Sequence, residues 1–560
     1  MKAGGEKMYK VDGRNAQILL GYSDVFHEKA PNLISEIQKL NMHKAISVIC
    51  ELIALRNKKM KPVDTQYLTG VIFPLESYLK KIILRLGEAS NDNLLSNPVF
   101  RKDQHIVSLQ MLLLLLKKIM VYGDYQTFSQ TDYTVTDEDY ATILRLQLIV
   151  VDEVCQSETV EFDKGHFLYS TYHLNNRPSL AGRFLRMYYM LECLDRSADG
   201  FSYDVQNEYK NYYEDFKNKY GITTTQYSSI LFWELQPYFT DECGLAHMSI
   251  WKSINSTYKK SESRETLEKA LKVLSVKPVE LKKWATETQY NQWDFSNFLA
   301  YPFFQDDEGR YISISDYTLS NAFFEKMFWL IRECYPQSDN EAMAFYGRLF
   351  EKYIQVLTYN ANAQKENYTF VDEFSIKAGK QDIKSSDAYL KNGNCLLAIE
   401  AKGFSNLITV MTQNMDVERN YKKLFVKPVL EADKFCERAI ENGSFGDVDK
   451  IYIISVTLDS IEANPFYYEK IYGEIEKNKI CDKVKCYFNF SIAEYEMLMC
   501  AVESGENICE LLSEYFSLDV LSPFSTFLQQ RASKLPTMTK FMKECYTEAS
   551  AKMLEMLKES

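Results

Sequence analysis

From about residue 30 to 290, apolar side chains recur at helical spacing. Leu33, Ile34, Ile37 and Leu40 open one amphipathic run, and Ala45, Ile46 and Ile49 continue it. The same spacing predicts helices over 66–86, 104–122, 137–153, 180–195, 203–220 and 226–238. Between them lie the breakers Asn91-Asp92-Asn93, Thr131-Asp132, Asn175-Asn176-Arg177-Pro178 and Ala198-Asp199-Gly200. No fixed-period repeat is present, so a regular solenoid is not expected. Near residue 290 the texture changes. Tyr301-Pro302-Phe303-Phe304 and Tyr311-Ile312-Ser313-Ile314 flank Asp306-Asp307-Glu308-Gly309 as the arms of a hairpin, and a helix over 319–333 follows.

Beyond this point strands enter. Ser338-Asp339-Asn340-Glu341 marks the start of a helix over 340–359. A strand at 368–374, a hairpin at 386–402, a helical region at 411–440, strands at 450–456 and 483–490 and a helix at 492–502 follow. The predicted order is α-β-β-β-α-β-β-α. The chain therefore reads as α+β overall. An all-α region (1–290) leads through a connecting hairpin and helix (291–339) to an α/β domain (340–530), then a last helix (531–560).

The hairpin carries the candidate chemistry. One short strand carries Asp387, Asn392-Gly393 marks a tight turn, and the apolar run Cys395-Leu396-Leu397-Ala398-Ile399 ends in Glu400-Ala401-Lys402. Strand side chains alternate, so Glu400 and Lys402 share a face while Ile399 and Ala401 take the other. The hairpin can bring Asp387 beside Glu400. Two carboxylates and an ammonium then sit at the end of a buried strand, a donor set suited to a hard divalent cation and to phosphoryl chemistry.

At these residues the chain resembles the PD-(D/E)xK nuclease superfamily. Asp387 matches the first acidic position, Glu400 the second and Lys402 the lysine, while Ser386 stands where that superfamily usually has proline. The resemblance implies a restriction-endonuclease-like fold, a mixed central sheet flanked by helices, and a Mg²⁺- or Mn²⁺-dependent endonuclease. Asp387, Glu400 and the backbone carbonyl of Ala401 would bind the metal, and Lys402 would orient water. It also implies a glutamate on the preceding helix. Glu351, in Gly347-Arg348-Leu349-Phe350-Glu351-Lys352-Tyr353, lies at the edge of an apolar stripe and fits that place as a further metal ligand. A polar residue on the helix after the lysine strand is implied too. Gln413 and Glu431 compete for it, each against an ordinary surface role.

Composition narrows the alternatives. All six histidines lie in the first half, so the C-terminal half cannot use a Ser-His-Asp triad, a His-based metal nuclease site or a zinc deaminase site. No phosphate-binding Gly loop or dinucleotide fingerprint is present, which speaks against a small-molecule enzyme. The net charge of −12 argues against a nucleic-acid coat protein but permits a local basic groove, for which Lys402, Arg419, Lys422, Lys423 and Lys427 are candidates. Interspersed Asp416 and Glu418 make a solvated helix face the competing reading. Likewise, the Tyr-rich stretch from Tyr209 to Phe216 could stack on bases, but packing against neighbouring helices is the stronger expectation.

The twelve cysteines are expected to be reduced thiols, and the Cys481/Cys486 pair lacks a partner pair for zinc. No apolar run spans a membrane and no signal peptide opens the chain, so a soluble, cytoplasmic protein is expected. The expected partner is nucleic acid, DNA before RNA. The helical half would serve recognition, regulation, oligomerisation or a protein partner, an arrangement similar to bacterial restriction and phage-defence effectors. The alternative is an inactive nuclease-fold scaffold that docks a partner through that half.

Overall fold

The computed structural model describes residues 10–11, 18–55, 59–60, 73–74, 104–105, 107–129, 134–156, 180–194, 209–239, 242–243, 251–257, 261–378, 381–405, 412, 417–459, 465–518, 520–521, 523–531 and 535–558. The protein is mixed α+β with a helical N-terminal half. Its contacts divide the chain into two units, and the division is not the one that the sequence suggests. One unit gathers Met1–Gly13, Asp163–Lys219 and Trp329–Lys552; the other gathers Arg14–Phe162, Tyr220–Phe328 and Met553–Ser560. The helical half is thus not one module. The helices Leu180–Tyr188 and Tyr212–Tyr220 pack largely with the C-terminal residues, as does most of Lys540–Lys558.

The second unit is helical around Met42–Leu55, Leu109–Tyr122 and Asp137–Gln156, with a small sheet that includes the antiparallel arms Phe303–Gln305 and Tyr311–Ser313. The apolar run Met111 to Leu116 is buried here. Among the described residues no helix is long and apolar enough to cross a membrane. The predicted helix at 66–86 lies outside the described residues.

In the first unit, α1 (Asn340–Ala363) starts at Asp339, whose side chain accepts from the Ala342 backbone N–H. Ala342, Phe345, Tyr346, Leu349, Phe350, Tyr353, Leu357 and Ala361 form its buried stripe. The strands β1 (Thr369–Asp372), β2 (Ser375–Ala378), β3 (Gln381–Lys384), β4 (Ala388–Asn392) and β5 (Cys395–Lys402) follow. Then come α2 (Lys427–Glu441), β6 (Lys450–Thr457), α3 (Pro465–Asn478), β7 (Val484–Ser491), α4 (Ile492–Ser504) and α5 (Ile508–Phe516).

The five-stranded sheet has the order β1-β4-β5-β6-β7. Its first three strands are antiparallel to their neighbours, while β5, β6 and β7 run parallel. Parallel strands need a crossover, and α2 and α3 lie in the two connections. The predicted order omits α3 and also omits the separate β2–β3 hairpin. Strands β5 and β6 are buried nearly throughout, which is why they read as continuous apolar runs rather than alternating ones.

Two further details depart from expectation. The hairpin turn centres on Gly393-Asn394, because Asn392 still pairs with Cys395; Gly393 takes the positive φ of 57° that the turn needs. Cys395 is also bonded to Cys509, so these two are not free thiols and the start of β5 is tied to α5. Sequence spacing does not reveal this pairing across 114 residues.

Candidate active site

The carboxyl end of β5 faces a cleft of about 530 Å³. Asp387 stands just before β4 rather than within it, and its Oδ2 accepts from the Ala401 backbone N–H at 2.6 Å. That bond closes the open end of the β4–β5 ladder, where Ala388 already pairs with Ile399. Gln355 on α1 donates through Nε2 to the Asp387 carbonyl at 2.9 Å, tying helix and acid together. Asp387 is 9% exposed and Glu400 8%. Lys402 Nζ donates to Glu400 Oε2 at 3.3 Å. Glu351 projects from α1 with Arg348 NH1 at 3.4 Å.

The fold thus brings Asp387, Glu400, Lys402 and Glu351 to one cleft. Glu431 lines it from α2 and contacts Lys427 at 3.7 Å. Gln413 lies outside the described residues. A Cβ at Gly347, one turn before Glu351, would meet nothing within 4 Å. The glycine that matters is Gly403: a Cβ there would stand 2.9 Å from the Phe350 Cβ, so the chain leaves β5 pressed against α1.

Electrostatically the floor is crowded with acid. Burial and the neighbouring Asp387 push Glu400 up to about 8. Burial and Asp387 likewise push Glu351 up to about 7. Burial raises Asp387 against the pull of Lys402 and the Ala401 N–H. For Lys402, burial favours the neutral amine, but Glu400, Asp387 and Glu351 outweigh it and raise the ammonium above its ordinary value. One permanent cation therefore stands among three carboxyl groups that repel one another.

This donor set fits a divalent cation, which would relieve the repulsion and take the remaining ligands from water. Among the described residues no three His, Cys, Asp or Glu side chains already converge as a metal cage. Cys481 and Cys486 are buried free thiols, with burial as the leading cause that pushes them up to about 11 and about 12.

Several lining residues escape a motif search. Arg348, Glu373, Lys384, Lys434 and Arg438 line the cleft, and Gln355 braces it. For those on helices the only sequence signal is helical spacing: 348, 351 and 355 follow one face of α1, and 431, 434, 435 and 438 one face of α2. The cations proposed from sequence for a groove do not line the cleft, Lys402 excepted. Lys422 pairs with Glu474 at 3.1 Å, and Lys423 lies 5.7 Å from the Phe404 ring. The Tyr-rich helix packs as a core element, with Tyr212 buried against Tyr335, Phe345 and Tyr346.

No protein-family model matches the chain, and no curated protein or solved structure is significantly similar to it.

Proposed function

We propose that the protein is a metal-dependent nuclease of restriction-endonuclease-like fold that hydrolyses phosphodiester bonds, DNA before RNA. The observation that carries this is the convergence of Asp387, Glu400 and Lys402 on one cleft with Glu351 opposite. An apolar strand that could have ended in solvent instead delivers Glu400 and Lys402 to a recessed floor beside Asp387. Asp387, Glu400, the Ala401 carbonyl and Glu351 would hold Mg²⁺ or Mn²⁺, which when bound lowers the pKa of water and polarises a phosphate.

The chain's own residues have distinct tasks in this reading. The Ala401 N–H fixes the Asp387 carboxylate in place, and Gln355 fixes its backbone. Glu400 holds the Lys402 ammonium at the cleft, where it orients the attacking water and offsets charge on the pentavalent phosphorus. The recessed acids keep bulk water from screening that charge. The mixed sheet suits such a site, since loops at the carboxyl ends of parallel strands open beside it.

The test is incubation of plasmid, linear DNA and RNA with Mg²⁺ or Mn²⁺, beside a Lys402→Ala control. Metal-dependent cutting by the natural chain and none by the variant is expected. Equal cutting by a pure Lys402→Ala protein sinks the assignment. Absence of both cutting and Asp387-dependent Mn²⁺ binding in calorimetry would favour a non-catalytic scaffold.

A further inference from the structure

The hydrolysis chemistry leaves one wall of the cleft without a task. On α2, Glu431, Lys434, Phe435 and Arg438 face the cleft. Phe435 is buried and packs edge-on against Phe374 at 5.4 Å, which fixes the rotation of this face. Glu431 is engaged by Lys427. Lys434 and Arg438 are exposed, stand one turn apart, and enter no ion pair among the described residues.

The other cations of the cleft differ. Arg348 is countered by Glu351, Lys384 by Glu373 at 3.2 Å, and Lys402 by Glu400. Each of these three answers an acid of the same cleft; Lys434 and Arg438 answer none. In a chain of net charge −12, two uncommitted cations beside a recessed acidic floor form a local anion grip. Their Cα atoms are about 6 Å apart along the helix, close to the spacing of successive phosphates on one strand.

We propose that Lys434 and Arg438 are positioning residues that hold successive phosphates of one polynucleotide strand, so that the next linkage reaches Lys402. This rests on the hydrolysis reading above. The pair binds backbone and not bases, so it supplies affinity without sequence preference.

The test uses the full chain. Binding of fluorescein-labelled single-stranded and duplex DNA and of single-stranded RNA is followed by anisotropy over a salt series in the Lys402→Ala background. Lys434→Ala/Arg438→Ala is then added. Removing two phosphate contacts should lower the slope of log Kd against log salt by about 1.4 to 1.8. In the cutting-competent chain the same pair of changes should raise KM at least fivefold and leave kcat within twofold. Exchanging the pair as Lys434→Arg/Arg438→Lys should keep slope and KM near their natural values, and Lys477→Ala, an exposed cation outside the lining, should do the same. Both sites are exposed, and an unchanged thermal midpoint checks that the variant folds. If the natural chain cuts and the double variant keeps its KM and salt slope, the grip is wrong and the nuclease stands. If the natural chain neither binds nor cuts any of the strands, the hydrolysis reading falls and the grip with it.

Discussion

Two buried charge clusters meet α1 in the same unit, and they are built on opposite terms. In one, Arg186 donates through NH1 to both carboxylate oxygens of Glu496, at 2.7 and 2.8 Å. Tyr353 on α1 adds a hydrogen bond to Glu496 Oε1 at 2.7 Å. One cation meets one anion, and a phenol takes up spare acceptor capacity. The other cluster is the cleft, where Asp387, Glu400 and Glu351 share a single half-buried ammonium, Lys402, with Arg348 at the edge. A matched cluster holds helices together and leaves no net charge to neutralise. An unmatched one stores repulsion that a bound cation or a proton can relieve. Burial alone does not mark a functional site; burial with charge left over does.

That contrast can be broken most forcefully by deleting one cation from each cluster. Lys402→Ala should cut phosphodiester cleavage by about 10²-fold or more while leaving the thermal midpoint almost unmoved. Arg186→Ala should instead strand Glu496 in the interior and cost about 3–5 kcal/mol of stability, read as the urea midpoint. Adding Glu496→Leu to Arg186→Leu should recover most of that loss. A Lys402→Ala protein as unstable as Arg186→Ala would mean that the two clusters are of one kind.

The pH dependence sharpens the comparison next. Glu400 and Glu351 titrate higher folded than unfolded, so the native state holds protons that the unfolded chain has released. Their contribution is fully present below the ordinary carboxylate range and is lost as pH rises through about 7 and about 8. Stability measured by urea should therefore fall by a few kcal/mol, order of magnitude, between about pH 5 and pH 8. Glu400→Gln should flatten that fall. Mg²⁺ should raise the thermal midpoint more at pH 8 than at pH 6, and no such metal response should survive in Asp387→Ala.

Smaller effects probe the frame around the cleft. Gly403→Ala drives a methyl into Phe350 and should cost about 1–3 kcal/mol with a parallel loss of cleavage. Ser491→Ala removes the cap of α4, where Ser491 and Glu494 bond reciprocally, and should cost about 1 kcal/mol with activity untouched. Denaturation curves and initial rates on the same preparations separate the two.

Much of the central sheet was legible because β5 and β6 are buried on both faces and so appear as unbroken apolar runs. The β4–β5 hairpin announced itself through Gly393, and α1 through Asp339 and its stripe. Helix α3 escaped because its tyrosines, glutamates and lysines resemble a loop as much as a helix, with little periodic contrast. Asp387, Glu400, Lys402 and Glu351 could be placed together because strand alternation and helix spacing are local rules. The rest of the cleft could not. Gln355, Glu373, Lys434 and Arg438 become neighbours only through the packing of α1, the β1–β3 segment and α2, a long-range fact with no local signature. The division into units was equally hidden, since nothing near residues 163 or 219 marks a return of the chain to its C-terminal partners.

The scattered origin of the first unit has a consequence for the birth of the protein. Lys10-Val11 pairs in parallel with Val520-Leu521, and Arg186 waits for Glu496. A ribosome adding about 5–20 residues each second holds these early segments without those partners until residues 496 to 521 have been made. The residues that line the cleft all lie between 348 and 438, but the Arg186–Glu496 cluster against α1 is completed only after Glu496 has been made. If the cleft cuts nucleic acid, a product truncated before Glu496 would carry the acids of the site without the partner of Arg186 behind α1.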